Sequence, residues 1–316
     1  MESKKLFSEN PYKIIISLIS CVLWGSAFPV LKISYTEMNI AQNDMGARIV
    51  LAGMRFFLAS ILLFLFIKFA MKLSLKLSRK DLFNMTMLGL FQTALYYFLF
   101  YNGVANTTGL KASIIGALET FFTVIVASMF YSNDKIDLKK LIGLTTGFAG
   151  IILANWGQKF GSGFSFLGEG LLILSSLMGA FCSIFVKNFG QKMHPFIITA
   201  WQMFLGSLML LLYGIPKMSQ STMNFTPMAT GLLIYSAFLS AVAFSLWFAL
   251  LKHNKAGEIS LYRFMIPVSG AVLSAIFVPG EKFTIYILLS LCLVVLGIIS
   301  LNLHSKLKKE INSYES

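Results

Sequence analysis

The sequence predicts an all-α membrane protein of ten transmembrane helices arranged as two inverted five-helix repeats. Three observations carry this: too little charge for a water-facing surface, ten apolar runs of spanning length, and sequence matches recurring at one nearly constant offset. Of 316 residues, 57% are hydrophobic and only 12% charged, with a mean hydropathy of +0.76. Soluble domains carry about 25% charged residues, so lipid must be the solvent for most of this chain.

A hydrocarbon core of roughly 30 Å needs about 20 mostly apolar residues to cross it as a helix. The first such run, 12–34, follows Lys4, Lys5 and Lys13 and continues past the small residues Gly25, Ser26 and Ala27, which makes it an uncleaved span rather than a signal peptide. Runs at 46–70, 82–104, 108–131 and 138–156 complete the first half, over residues 12–156. Runs at 167–188, 195–214, 228–251, 257–280 and 283–304 make a second half over 167–304. Gly, Pro, Asn, Asp and Lys punctuate the junctions, as helix ends and turns prefer.

The net charge of +13 comes from 26 Lys and Arg against 13 Asp and Glu. These cations fall in short loops between apolar runs, and no basic groove interleaved with stacking aromatics is visible, so nucleic acid is not an expected partner. With the N-terminus inside, about 18 Lys and Arg fall on the inner side, among them Lys68, Lys72, Arg79, Lys135, Lys139, Lys140 and Lys187. About five fall outside: Arg48, Lys111, Lys159, Lys217 and Lys282. This bias predicts a multi-pass protein of the cell membrane with both termini cytoplasmic.

A shift of about 147 residues relates the halves. Gly150-Ile151-Ile152 in the fifth span matches Gly297-Ile298-Ile299 in the tenth, and Phe57-Leu58-Ala59-Ser60 matches Phe204-Leu205-Gly206-Ser207. Asn106 pairs with Asn254, Gly109 with Gly257, and Asp134-Lys135 with Glu281-Lys282. Because five is odd, the second half enters from the opposite side. Secondary transporters use that topology to alternate access about a midplane site, although a duplication could also serve only to pack a bundle.

The residues resemble the drug/metabolite transporter superfamily, and within it the EamA-type families, over nearly the whole chain. Trp24-Gly25-Ser26-Ala27-Phe28 matches the family's Trp-Gly-x-x-Phe, and Arg55 matches its arginine in the second span. Pro267 and Gly280-Glu281 match in the second half, whereas the first half carries Glu119 where the repeat expects proline, and Asp134 in place of glutamate. The resemblance implies alternating access by a small metabolite, amino-acid-like compounds included, with export the expected direction and both halves lining a central cavity.

Glu119 lies about ten residues into the fourth span, roughly 15 Å deep, where a carboxylate faces a cavity, a partner or a proton path, or locks helices as a hydrogen-bonded acid. Arg263, about six residues into the ninth span, suits a substrate carboxylate held bidentately or a guanidinium snorkelling to headgroups. Together they suit the two ends of a zwitterion. Gln92 and Tyr96 share one helical face, as do Tyr97 and Tyr101, which fits a cavity wall; Tyr101 and Asn102 read as interfacial and interhelical contacts. Ser240 aligns with Gln92, and Trp247 lies two turns beyond it as a gate or stacking wall, while Arg55 reads as a gate, a pairing residue or an interfacial anchor. Trp24 joins this candidate set through its motif.

Gly143-x-x-x-Gly147 with Gly150 permits close helix approach, within a protomer or between two protomers of a homodimer. Pro29 and Pro267 suggest kinks that free backbone groups. Cys21, Cys182 and Cys292 sit singly in apolar runs, and no His-Glu-x-x-His, P-loop or Gly-x-Ser-x-Gly is present, so neither a metal, a cofactor nor ATP is expected. A secondary transporter of a small molecule is the favoured class. A polytopic membrane enzyme and a sensor or scaffold are the alternatives.

Overall fold

The computed structural model describes residues 2–41, 44–157, 163–219, 223–280 and 282–314, all helical or irregular, with no strand among them. Lys159 and Glu281, used above in the charge and repeat arguments, lie outside the described residues, as do the side chains of 300–314. After a short helix at Glu2–Ser8, the chain forms α1 (Tyr12–Glu37), α2 (Met45–Ala70), α3 (Arg79–Ala105), α4 (Lys111–Phe130) and α5 (Leu138–Ala154). There follow α6 (Phe166–Gly190), α7 (Pro195–Lys217), α8 (Pro227–His253), α9 (Ala256–Phe277) and α10 (Ile285–Tyr314).

Eight of these helices are long and apolar enough to cross a membrane. The two that fall short are α5, with 17 residues, and α10, whose described apolar stretch is Ile285–Ile299. The sequence places spans at both positions, so the structure bears out a multi-helix membrane bundle and the finer count of ten rests on these two.

Packing follows the internal offset. Helix α2 lies on α8 as α7 lies on α3, α1 lies on α8 as α6 lies on α3, and α1 lies on α9 as α6 lies on α4. The pairs α2·α7 and α5·α10 join equivalent helices of the two halves. In lipid no hydrophobic force drives helices together, so close approach depends on small residues. A Cβ added to Gly150 would fall 3.1 Å from the Ser290 carbonyl, and one added to Gly297 3.5 Å from the Gly143 carbonyl. The fifth-span glycines are therefore spent on contact within the protomer.

Two buried ion pairs fix opposite ends of α4. Lys140 Nζ lies 2.5 Å from Asp134 Oδ1 and donates to the Asp134 and Lys135 carbonyls, while Asp134 Oδ2 accepts from Gly257 N at 2.9 Å. Lys140, counted above among the inner-side cations, is only 1% exposed, because its ammonium closes this network. At the other end Lys111 meets Glu169 at 2.9 Å, and Glu169 also accepts from Thr107 Oγ1 and Ser165 N.

Candidate functional site

The site begins with two interrupted helices. Helix α4 breaks at Ala117, between the segments Gly109–Gly116 and Leu118–Phe130, which puts Glu119 in the first turn of the second segment. In α9, Pro267 has no N–H to give to the carbonyl four residues earlier, which belongs to Arg263. The chain there tightens into a 3₁₀ turn, Leu261–Phe264, and Cys21 Sγ of α1 reaches the Tyr262 carbonyl at 3.3 Å.

From these two breaks Arg263 Nη1 donates to Glu119 Oε1 in a charge-assisted pair that joins the two halves of the chain. Each side chain is 12% exposed. Tyr96 Oη of α3 donates to the second carboxylate oxygen at 3.0 Å. Gly179 of α6 makes the room, since a Cβ there would collide with the Glu119 carboxylate and lie 3.0 Å from the Tyr96 ring.

Two indoles flank the guanidinium. Arg263 Cζ lies 5.6 Å from the Trp24 ring centroid and 5.1 Å from that of Trp247, and the two rings meet edge to face at 5.4 Å. This is cation–π geometry in a desolvated setting, where such contacts are strongest. Trp24 reaches the site because Gly25, beside it, lets α1 cross α9 closely: a Cβ on Gly25 would fall 2.9 Å from both Gly270 N and the Ile266 carbonyl. The Trp-Gly motif thus has a local reason, with the glycine seating the helix and the tryptophan covering the arginine.

Five of the seven expected site residues therefore converge: Glu119, Arg263, Tyr96, Trp24 and Trp247. Arg263 turns to Glu119 rather than snorkelling, so the two charges expected to divide a zwitterion hold each other. Arg55 is 3% exposed and donates from Nε to Ser240 Oγ at 2.6 Å, which places it inside the bundle as a pairing residue and not at the interface. Gln92 is buried on a π-helical turn, Gly89–Leu95, and among the described residues no hydrogen bond joins it to Tyr96, Glu119 or Arg263. Tyr101 is also buried, against Tyr97 and Phe100, because α3 packs on α2 and α6 there instead of facing lipid.

Sequence reasoning passed over Gly179 and the bond from Thr93 Oγ1 to Gln202 Oε1 at 2.6 Å, and read Cys21 only as a single cysteine in an apolar run. The glycine carries no chemistry to attract notice, and the cysteine acts through its position only. A cleft of about 340 Å³ lies elsewhere, lined by Asp44, Ile49, Asn102, Tyr213, Lys217 and Ser219, and it shares no residue with the Glu119–Arg263 centre.

The profile of the EamA-like transporter family matches residues 11–156 and, a second time, residues 166–303. The chain belongs to this family. It is accordingly a multi-pass membrane transporter of small-molecule substrates rather than an enzyme. Among similar proteins, the uncharacterized transporter YvbV of Bacillus subtilis is 28% identical over 295 residues, covering 91% of this transporter and 90% of YvbV. An uncharacterized transporter of Archaeoglobus fulgidus is 25% identical over 289 residues, covering 90% and 97% of the two chains. A solved crystal structure superposes with a TM-score of 0.76 at 14% identity, covering 92% of this chain and 96% of that one, a likeness of fold alone.

Proposed function

We propose that the transporter moves a small metabolite across the cell membrane by alternating access, through a central site built on Glu119 and Arg263 with Tyr96, Trp24 and Trp247. The carrying observation is that one ion pair, donated from α9 to α4, ties the two halves together between two tryptophans. Buried charges inside a membrane bundle mark substrate or proton paths, and a pair that must open for the halves to part is suited to switching.

In this reading α5 and α10 are the fifth and tenth spans. The 17 residues of α5 correspond to about 25 Å of helix, at the lower end of spanning lengths. Two five-helix units, 12–156 and 167–304, then stand in opposite orientations with both termini cytoplasmic. The shift-by-five packing of the helices and the distribution of Lys and Arg support this. Gln92 and Arg55 stand one layer away and act on the site through α3 and α8. The glycines of α5 pack against α10 within the protomer, so a homodimer would use another face.

The test is transport by purified protein in liposomes, with a labelled panel of amino acids, carboxylates, amines and nucleosides and an imposed proton gradient. Wild type should move one class, Glu119→Gln should retain exchange while losing response to the gradient, and Arg263→Gln should abolish both. Comparing sealed vesicles of either orientation gives the direction, with export expected. Wild-type rates in both variants would remove the pair from the pathway.

A further inference from the structure

The Glu119–Arg263 centre has a surplus of hydrogen-bond donors. Among the described residues, Trp247 Nε1 and Arg263 Nε are buried with no acceptor from the protein. Trp247 is 1% exposed, so its indole N–H is held in the interior beside the guanidinium. No acceptor atom of the centre is left unpaired in the same way: the two Glu119 oxygens take Arg263 Nη1 and Tyr96 Oη. A buried donor left unpaired is costly, because it has lost its water without gaining a partner. What complements two donors beside an arginine is a group with several acceptor oxygens.

We propose that the substrate is a small monocarboxylate, which takes Arg263 from Glu119 and pairs with Arg263 and Trp247, while the displaced Glu119 takes up one proton. This rests on the transport reading above and names its substrate class. Charge supplies the second half of the argument. Arg263 and Glu119 sum to zero, and a bound carboxylate would leave one uncompensated negative charge inside the bundle, which is costly there. One proton from solvent on a Glu119 carboxylate oxygen restores neutrality; no other bond is made or broken.

Tyr96 accommodates either state, since a hydroxyl that donates to a carboxylate can accept from a carboxylic acid. The titratable groups facing the pair are Tyr96 and Tyr97 from α3, Cys182 from α6 and Cys21 from α1. Arg55 of α2, a buried cation acting on the same Tyr97, is engaged by Ser240 and, among the described residues, makes no hydrogen bond to Glu119. An ammonium ligand fits less well. It would need acceptors, and recruiting Glu119 for it would strip Arg263 of its partner.

Four matched probes separate the possibilities: propionate, alanine, propionamide and propylammonium. Binding to purified full-length protein is read by tryptophan fluorescence and thermal unfolding, and proton uptake by an indicator dye in weak buffer. Propionate should bind wild type with uptake of one proton. It should bind Glu119→Ala about tenfold tighter, because the internal competitor is gone, and without proton uptake. Should Glu119→Ala fail to fold, the near-isosteric Glu119→Gln carries the same expectation, and Arg263→Gln should lose propionate in either background.

Tighter binding of propylammonium or propionamide than of propionate overturns the substrate class. Alanine bound by wild type more tightly than propionate, with no proton taken up, overturns the monocarboxylate in favour of a zwitterion. No propionate effect in either Glu119 variant overturns the proposal altogether. Liposome flux keeps the two readings apart: movement of amines alone leaves the transporter standing and removes the carboxylate, while propionate binding without any flux does the reverse.

Discussion

Arg55 Nε donates to Ser240 Oγ across 2.6 Å, and 147 residues beyond Arg55 stands Gln202, which accepts from Thr93 across the same distance. Thr93 itself lies 147 residues before Ser240. One hydrogen bond joins α2 to α8 and the other joins α7 to α3, so each is the repeat image of the other. The sequence alignment set Gln92 against Ser240; the bonding sets Thr93 there, one residue along. In the inverted-repeat reading proposed above, the two bonds would lie toward opposite membrane faces, where a pair of gates belongs.

Ser240→Ala removes the acceptor from a buried guanidinium nitrogen and should cost about 1–3 kcal/mol of stability. Ser240→Thr, which keeps the hydroxyl, should recover most of it. Thr93→Val should act similarly by removing the Gln202 Oε1 partner. Thermal unfolding in detergent checks the series, and Ser240→Ala equal to wild type would show that the bond contributes nothing.

How much was legible in the sequence follows from these residues. The helices were readable because lipid demands long apolar runs, and Glu119 and Arg263 because charge is conspicuous against such a background. That the two charges meet was not readable. It depends on the break at Ala117, the 3₁₀ turn before Pro267 and the room left at Gly179, none of which has a local hydropathy signal. The burial of Lys140 was hidden for the related reason that a loop lysine and a capped interior lysine look alike until Asp134 and Gly257 are brought together.

Gly179→Ala places a methyl against the Glu119 carboxylate, and Gly25→Ala pushes α1 away from α9. Both should lower transport by about tenfold or more, since displacement of about 1 Å in a positioned site has effects of that order. Gly231→Ala is the control, because a Cβ there meets nothing within 4 Å. Flux in liposomes at matched protein content decides it, and three equal rates would sink the positional argument.

Asp134→Asn should be among the most destabilising single changes, at about 3–5 kcal/mol, because it leaves a buried ammonium without its counter-charge. Lys140→Met should cost less, as Asp134 keeps its bond from Gly257 N. The double variant should cost less than the two singles added together, the signature of coupled neighbours. Strict additivity in thermal unfolding would show that the pair does not act as a unit.

His194 gives a pH dependence outside the spans. Its Nδ1 accepts from Phe196 N at the start of α7, and burial, with Lys252 second, holds the imidazole pKa below its ordinary value. A depressed folded-state value means that the unfolded chain binds the proton more readily. Stability is then complete above the unfolded value of about 6.5 and is lost as pH falls through the folded value. The unfolding temperature should fall below about pH 6.5, and His194→Asn, which keeps an acceptor without titrating, should flatten that part of the curve. An identical slope in the variant would assign the titration to another group.

Trp247→Phe separates the two roles of the indole. The aromatic face over Arg263 is retained, although a benzene ring holds a cation less well than an indole does, while the N–H that lacks a protein acceptor is deleted. Removing an unsatisfied donor offsets part of the cavity cost of the smaller ring in this buried position, so thermal stability should fall by less than a buried Trp→Phe change otherwise costs. Carboxylate affinity should fall by about tenfold, the equivalent of one lost hydrogen bond to a charged group. Trp24→Phe lies on the other side of the same guanidinium and is the matched control for the weaker cation–π face. Equal losses in the two variants would trace the effect to the ring faces; a loss confined to Trp247→Phe assigns it to the indole N–H.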